Sequence, residues 1–215
     1  MIYLIIGGAS SGKSAFGEDL AEKLAQGIFG NRNFAESPDE EASPLEKLHK
    51  IYLATMKNEG EEAEKRIARH RRLRAGKNFE TLEAPGLREM KGLSANPDLR
   101  NAVVLLETLS VLVANEMFSE CGCFRDKEQT GSLAECIWET LKQLPCRHLV
   151  LMSDEIFCDG IVYDEYTESY RQVLGELHRL AAREGDGVFE VSAGIPYCLK
   201  GRNVMDETER SVSEV

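Results

Sequence analysis

The stretch Gly7-Gly8-Ala9-Ser10-Ser11-Gly12-Lys13-Ser14 follows directly on an apolar run at residues 2–6. It fits the pattern G-x-x-x-x-G-K-[ST], in which small residues let backbone N–H groups curl around phosphate oxygens. The following helix adds its positive N-terminal end. In this pattern Lys13 reaches the β and γ phosphates and the Ser14 hydroxyl helps to hold Mg²⁺. The flanks agree with a strand–loop–helix unit: a short buried-type strand precedes the glycines, and Phe16, Leu20 and Leu24 follow at helical spacing. The chain is therefore expected to bind a nucleotide.

Outward from this loop, apolar runs of strand length recur at residues 51–55, 102–107, 148–153 and 188–192, with a shorter one near 79–82. Helical patterns lie between them, which predicts an α/β fold with a mostly parallel sheet and helices on both faces. Residues 27–48 and about 119–132 read as loop insertions, and a helix carrying Ala134, Ile137, Trp138 and Leu141 follows the second. A single domain is expected over residues 1–201, with 202–215 an acidic tail that has little to bury and is expected to be disordered.

Composition narrows the function classes. With 37 acidic against 26 basic residues the net charge is -11, which argues against a general nucleic-acid binder. The basic stretch at 65–77 suits a phosphorylated small molecule better than a long polyanion. No apolar run reaches the roughly eighteen residues of a membrane span. The N-terminus lacks the features of a signal peptide. The six cysteines form no metal-type pairs, and Cys121-Gly-Cys123 reads as a loop feature. Reduced thiols in a cytoplasmic protein are expected.

Ligands of open parallel sheets sit at the carboxyl ends of the strands. The polar residues that end the apolar runs are therefore expected to converge: Gly7, then Thr55-Met56-Lys57, Glu107-Thr108, Ser153-Asp154-Glu155 and Ala193-Gly194. Glu107 is ranked first as the acid that approaches Mg²⁺, with Asp154 and Glu155 as competitors for that role or as a base. Residues 61–74 read as one helix with acids first and bases last, which already complements the helix dipole. A solvated charged helix is thus one complete reading. The other notes that Arg66, His70 and Arg74 share one face. Neighbouring guanidiniums favour the neutral, nucleophilic imidazole and would bind phosphate oxygens. His49, His148 and His178 lack such company and read as structural or surface residues.

GGASSGKS with Glu18 beyond it, IYLATM, RIARHRRLR, FETLEAP, VVLLETLSVLVANEMF, SDEIFCDGIV and VSAGIP occur here in an order that resembles the bifunctional adenosylcobinamide kinase/adenosylcobinamide-phosphate guanylyltransferase family. The resemblance runs from Met1 to about Gly201, apart from the two insertions. It implies a RecA-like P-loop fold and two steps. An NTP, ATP or GTP, phosphorylates the aminopropanol hydroxyl of adenosylcobinamide, and GMP from GTP then passes through a histidine to the phosphorylated corrinoid. His70 matches that histidine. The family's nucleotide contacts fall on Gly7, Gly8, Ala9, Ser10, Ser11, Gly12, Lys13 and Ser14, on Thr55, Met56 and Lys57, on Arg71, Arg72, Leu73 and Arg74, and on Glu83 and Glu107. Lys13 joins His70 as catalytic, and Ser14 and Glu107 as Mg²⁺ ligands. A homo-oligomer, with a trimer as one form, is also implied.

Some positions depart from the family pattern. Glu107 stands where Asp is usual, Thr108 where Cys is common and His178 where Asn is frequent. Phe157-Cys158-Asp159 and Tyr163-Asp164-Glu165-Tyr166 replace glycine-rich and Pro-Glu-Asn-type segments, which bears on the acceptor side. Two other readings remain at this point: a small-molecule kinase without guanylyl transfer, and a nucleotide-binding regulatory protein without turnover.

Overall fold

The computed structural model describes residues 1–27, 47–57, 60, 68, 72, 76–118 and 130–201. Among the described residues, seven strands form one sheet: β1 (Ile2–Gly7), β2 (His49–Ala54), β3 (Glu80–Glu83), β4 (Ala102–Glu107), β5 (His148–Asp154), β6 (Gly187–Ser192) and β7 (Ile195–Lys200). Their order across the sheet is β3-β2-β4-β5-β1-β6-β7. All neighbours are parallel except β6 and β7. This is the expected α/β architecture with a mostly parallel sheet, and β1 lies in the interior of the sheet.

The helices are α1 (Lys13–Ala25), α2 (Leu87–Leu93), α3 (Leu109–Met117), α4 (Thr130–Lys142) and α5 (Glu165–Glu184). Strand side chains alternate between the two faces, so each strand feeds two cores. On one face Tyr3, Ile5, Val103, Leu105, Val150 and Met152 pack against Phe16, Leu20 and Leu24 of α1. On the other, Leu4, Val104, Leu106, Leu149 and Leu151 pack with residues of α2, α3, α4 and α5, including the buried Trp138. Near-continuous apolar strands such as Val103-Val104-Leu105-Leu106 are what a doubly covered parallel sheet requires.

The sequence reading ended the sheet at residue 192. The structure adds β7, joined to β6 by a two-residue turn in which both Ala193 (φ 51) and Gly194 (φ 81) are left-handed. Positive φ at both turn positions is the geometry that suits a tight hairpin. A short run with three exposed apolar residues, Ile195, Tyr197 and Leu199, gave little burial signal. Helix α4 begins at Thr130, inside the stretch read as loop. Residues 28–46 and 119–129 and the tail at 202–215 fall outside the described residues.

Candidate nucleotide and phosphate site

The strand register lines up the residues that end each strand. Gly7 is level with Asp154 on one side and Val191 on the other. Glu107 is level with Ala54, and Ala54 with Glu83. The polar termini named from sequence therefore share the carboxyl edge of the sheet, with Thr55 buried and Met56 and Lys57 half-buried just beyond β2.

At the centre of this edge the loop closes on itself. Ser11 N donates to Gly8 O (3.2 Å) and Phe16 N to Gly12 O (3.1 Å). Gly12 adopts φ 95 as the residue capping α1, which has no side-chain cap and no acid in its first turn. The first N–H groups of α1 are thus left for an external anion. Two close approaches explain the glycines. A Cβ on Gly7 would lie 2.7 Å from Val191 O, and one on Gly12 would lie 2.9 Å from Gly194 Cα. Gly194 N also donates to Ser11 O at 2.7 Å, so the β6–β7 turn braces the loop. The Ser11 hydroxyl is buried and has no hydrogen-bond partner among the described residues, a state that suits a loop facing an oxygen-rich ligand.

Lys13 folds back over the loop. Its Nζ donates to Gly8 O at 3.1 Å and pairs with Asp154 Oδ1 at 2.8 Å. One helical step on, Ser14 Oγ donates to Glu107 Oε1 at 3.1 Å. Burial pushes the Glu107 carboxyl up to about 7, and Glu18 and Asp154 add to this, against the Ser14 hydrogen bond and Lys13. A hydroxyl and a carboxylate beside a phosphate loop are the donor set that Mg²⁺ prefers, with phosphate oxygens and water completing the shell. A bound cation there would favour the ionised carboxylate and lower that pKa.

Hydrogen bonds hold this arrangement, some from Thr55, which the sequence named, and others from Asn115 and Ser110, which it did not. Thr55 Oγ1 accepts from Thr108 N (2.8 Å) and lies 2.8 Å from Glu107 O, tying β2 to the end of β4. Asn115 Nδ2 donates to both Thr55 O and Pro85 O, each at 2.8 Å. Ser110 Oγ donates to Asp154 Oδ2 and sits 2.6 Å from Thr108 Oγ1. A Ser in the first turn and an Asn in the second turn of an apolar helix carry no sequence signal of their own. Their partners lie far away in the chain.

His70, Arg71, Leu73 and Arg74 lie outside the described residues. Arg72 is exposed and helical, with Nε 3.5 Å from Ala68 O. Glu83 is exposed at the end of β3. The remaining histidines stand apart from the phosphate loop. His49 and His148 open β2 and β5 at the opposite edge of the sheet. His178 is buried, 2.6 Å from Ser153 Oγ and edge-on to Phe157, and burial drops its pKa to about 4. The divergent segment after residue 160 builds a helix start: Asp164 accepts from Tyr166 N (2.9 Å) and Thr167 N (3.1 Å). Among the described residues, no helix is long and apolar enough to cross a membrane.

The family model described as cobinamide kinase / cobinamide phosphate guanyltransferase matches residues 30–199, a range that begins after the glycine loop. The bifunctional adenosylcobalamin biosynthesis protein CobP of Pseudomonas aeruginosa is 30% identical over 203 residues, covering 92% of this chain and 96% of its own length. Among solved structures, an ATPase domain superimposes with a TM-score of 0.45 at 15% identity, covering 88% of this chain and 68% of that one. On the strength of the family match and the full-length relative, the chain belongs to the cobinamide kinase / cobinamide phosphate guanyltransferase family.

Proposed function

We propose that this protein phosphorylates the aminopropanol hydroxyl of adenosylcobinamide with a nucleoside triphosphate, ATP or GTP. It then transfers GMP from GTP to the phosphorylated corrinoid. The observation that carries the reading is the phosphate loop with Lys13, Ser14 and Glu107 gathered on one sheet edge, in a chain of this family. In the first step the substrate hydroxyl oxygen attacks the γ phosphorus, its proton is lost to solvent, the bond to the β–γ bridging oxygen breaks and NDP leaves. Lys13 and the loop N–H groups offset the charge that develops on the transferring group. Ser14 and Glu107 would hold Mg²⁺, which would neutralise phosphate charge.

In the second step His70 attacks the α phosphorus of GTP. A P–N bond forms, the α–β P–O bond breaks and pyrophosphate leaves. A phosphate oxygen of the corrinoid then displaces the imidazole, forming a P–O bond as the P–N bond breaks. Splitting the transfer lets one nucleotide pocket serve two bulky acceptors in turn. Arg71, Arg72 and Arg74 beside His70 suit phosphate oxygens by charge and fork geometry, while Thr55, Met56, Lys57, Leu73 and Glu83 complete the nucleotide contacts in this reading. A cytoplasmic homo-oligomer, with a trimer as one form, belongs to the same proposal.

Incubation with adenosylcobinamide, ATP, GTP and Mg²⁺, read by mass, tests it. Addition of phosphate and then of GMP is expected. GTP alone should leave an acid-labile, base-stable GMP adduct on the parent protein, and equal labelling of His70→Ala would remove the histidine step.

A further inference from the structure

An ammonium carries three N–H donors and no acceptor. In Lys13 one donor goes to Gly8 O at 3.1 Å and a second to Asp154 Oδ1 at 2.8 Å. The Lys13 side chain is 10% exposed and that of Asp154 33%, so the pair lies at the carboxyl edge of the sheet, partly shielded from water. Asp154 is held from behind, because its other oxygen accepts from Ser110 Oγ, which is in contact with Thr108 Oγ1. Asp154 ends β5 while Ser110 lies in the first turn of α3. Two elements distant in sequence thus press a carboxylate onto the phosphate-loop lysine.

Gripping a β and a γ oxygen together takes two N–H donors, and among the described residues Lys13 has one uncommitted. The Gly8 bond is internal to the loop and follows from its curl. The Asp154 contact is the exchangeable one, and a triphosphate must displace it. Glu107, the other carboxylate near Lys13, is engaged by Ser14 at 3.1 Å.

We infer that Asp154 is a built-in competitor of the nucleotide for Lys13, resting on the reading of Lys13 as a phosphate ligand. With the pocket empty it restrains the lysine. With nucleotide bound it stands released, tethered by Ser110, as a negative charge beside the phosphates. Both effects lower nucleotide affinity and speed departure, which suits an enzyme whose single phosphate loop must exchange nucleotides between two successive reactions.

Equilibrium and stopped-flow binding of a fluorescent GTP analogue with Mg²⁺ to the full chain tests this. Asp154→Asn keeps the shape and the Ser110 partner but removes the charge. It should bind about tenfold tighter, equivalent to about 1.4 kcal/mol, with the gain in a slower off-rate. Asp154→Ala should shift in the same direction. A residue that merely supported the fold would weaken binding when changed, so the sign discriminates. Lys13→Ala should bind weakly, and adding Asp154→Asn to it should restore far less than the tenfold gain. Asp154 variants that bind no tighter, while Lys13→Ala loses affinity, would overturn the inference and leave the phosphate-loop reading standing. Lys13→Ala binding like the parent would overturn both.

Discussion

Glu107 sets stability against function, and the balance has a definite pH signature. Its carboxyl is raised from 4.5 to about 7, chiefly by burial. A carboxylate that is harder to ionise in the folded state binds more protons there than in the unfolded chain over this interval. Stability therefore falls as pH rises from about 4.5 and levels off above about 7. The difference of about 2.5 pH units, at about 1.36 kcal/mol each, sets an upper figure of about 3 kcal/mol. Glu107→Gln keeps an oxygen for Ser14 and removes the ionisation. In buffer with a metal chelator and no nucleotide, denaturant melts should show the variant more stable than the parent by as much as about 3 kcal/mol at pH 8. That corresponds to roughly 6–12 °C in Tm for a chain of this size. At pH 4.5 the two should coincide. The same variant should lose Mg²⁺-dependent turnover, since the amide offers the cation a weaker ligand. A variant no more stable than the parent at pH 8, or a gap that persists unchanged at pH 4.5, would refute the burial argument.

Other expected outcomes follow from the loop and its supports. Gly12→Ala places a Cβ 2.9 Å from Gly194 Cα at φ 95, and should cost about 1–3 kcal/mol in thermal or chemical denaturation while abolishing nucleotide binding. Asn115→Ala leaves the Thr55 and Pro85 carbonyls without this donor. It should lose about 1–3 kcal/mol of stability and raise KM for nucleotide more than it lowers kcat. Ser14→Ala keeps the helix but removes a proposed Mg²⁺ ligand and the bond to Glu107. Binding of nucleotide without Mg²⁺ should change little, while the gain on adding Mg²⁺, followed by titration calorimetry, should shrink about tenfold or more.

Much of the architecture was legible because its determinants are local. A glycine loop between an apolar strand and a helical pattern predicts β1, the loop and α1, and the run Val103-Val104-Leu105-Leu106 predicts an interior strand. The place of Glu107 at the carboxyl edge of the sheet was legible for the same reason, since it ends such a strand. Strand β7 was not, because its apolar residues are exposed and its pairing depends on a turn with two left-handed residues. Asn115 and Ser110 were not either, because what makes them matter lies sixty and forty-four positions away.

The amino-acid sequence alone thus determined the phosphate loop, the parallel α/β class and the family signature. Each is written in spacing along the chain, where backbone geometry converts sequence distance into direction. Only the tertiary structure decided that Asp154 faces Lys13, that Ser14 meets Glu107 and that the β6–β7 turn braces Gly12. Those contacts depend on strand order and register, which arise from packing two faces of one sheet and leave no periodic trace in the residues themselves.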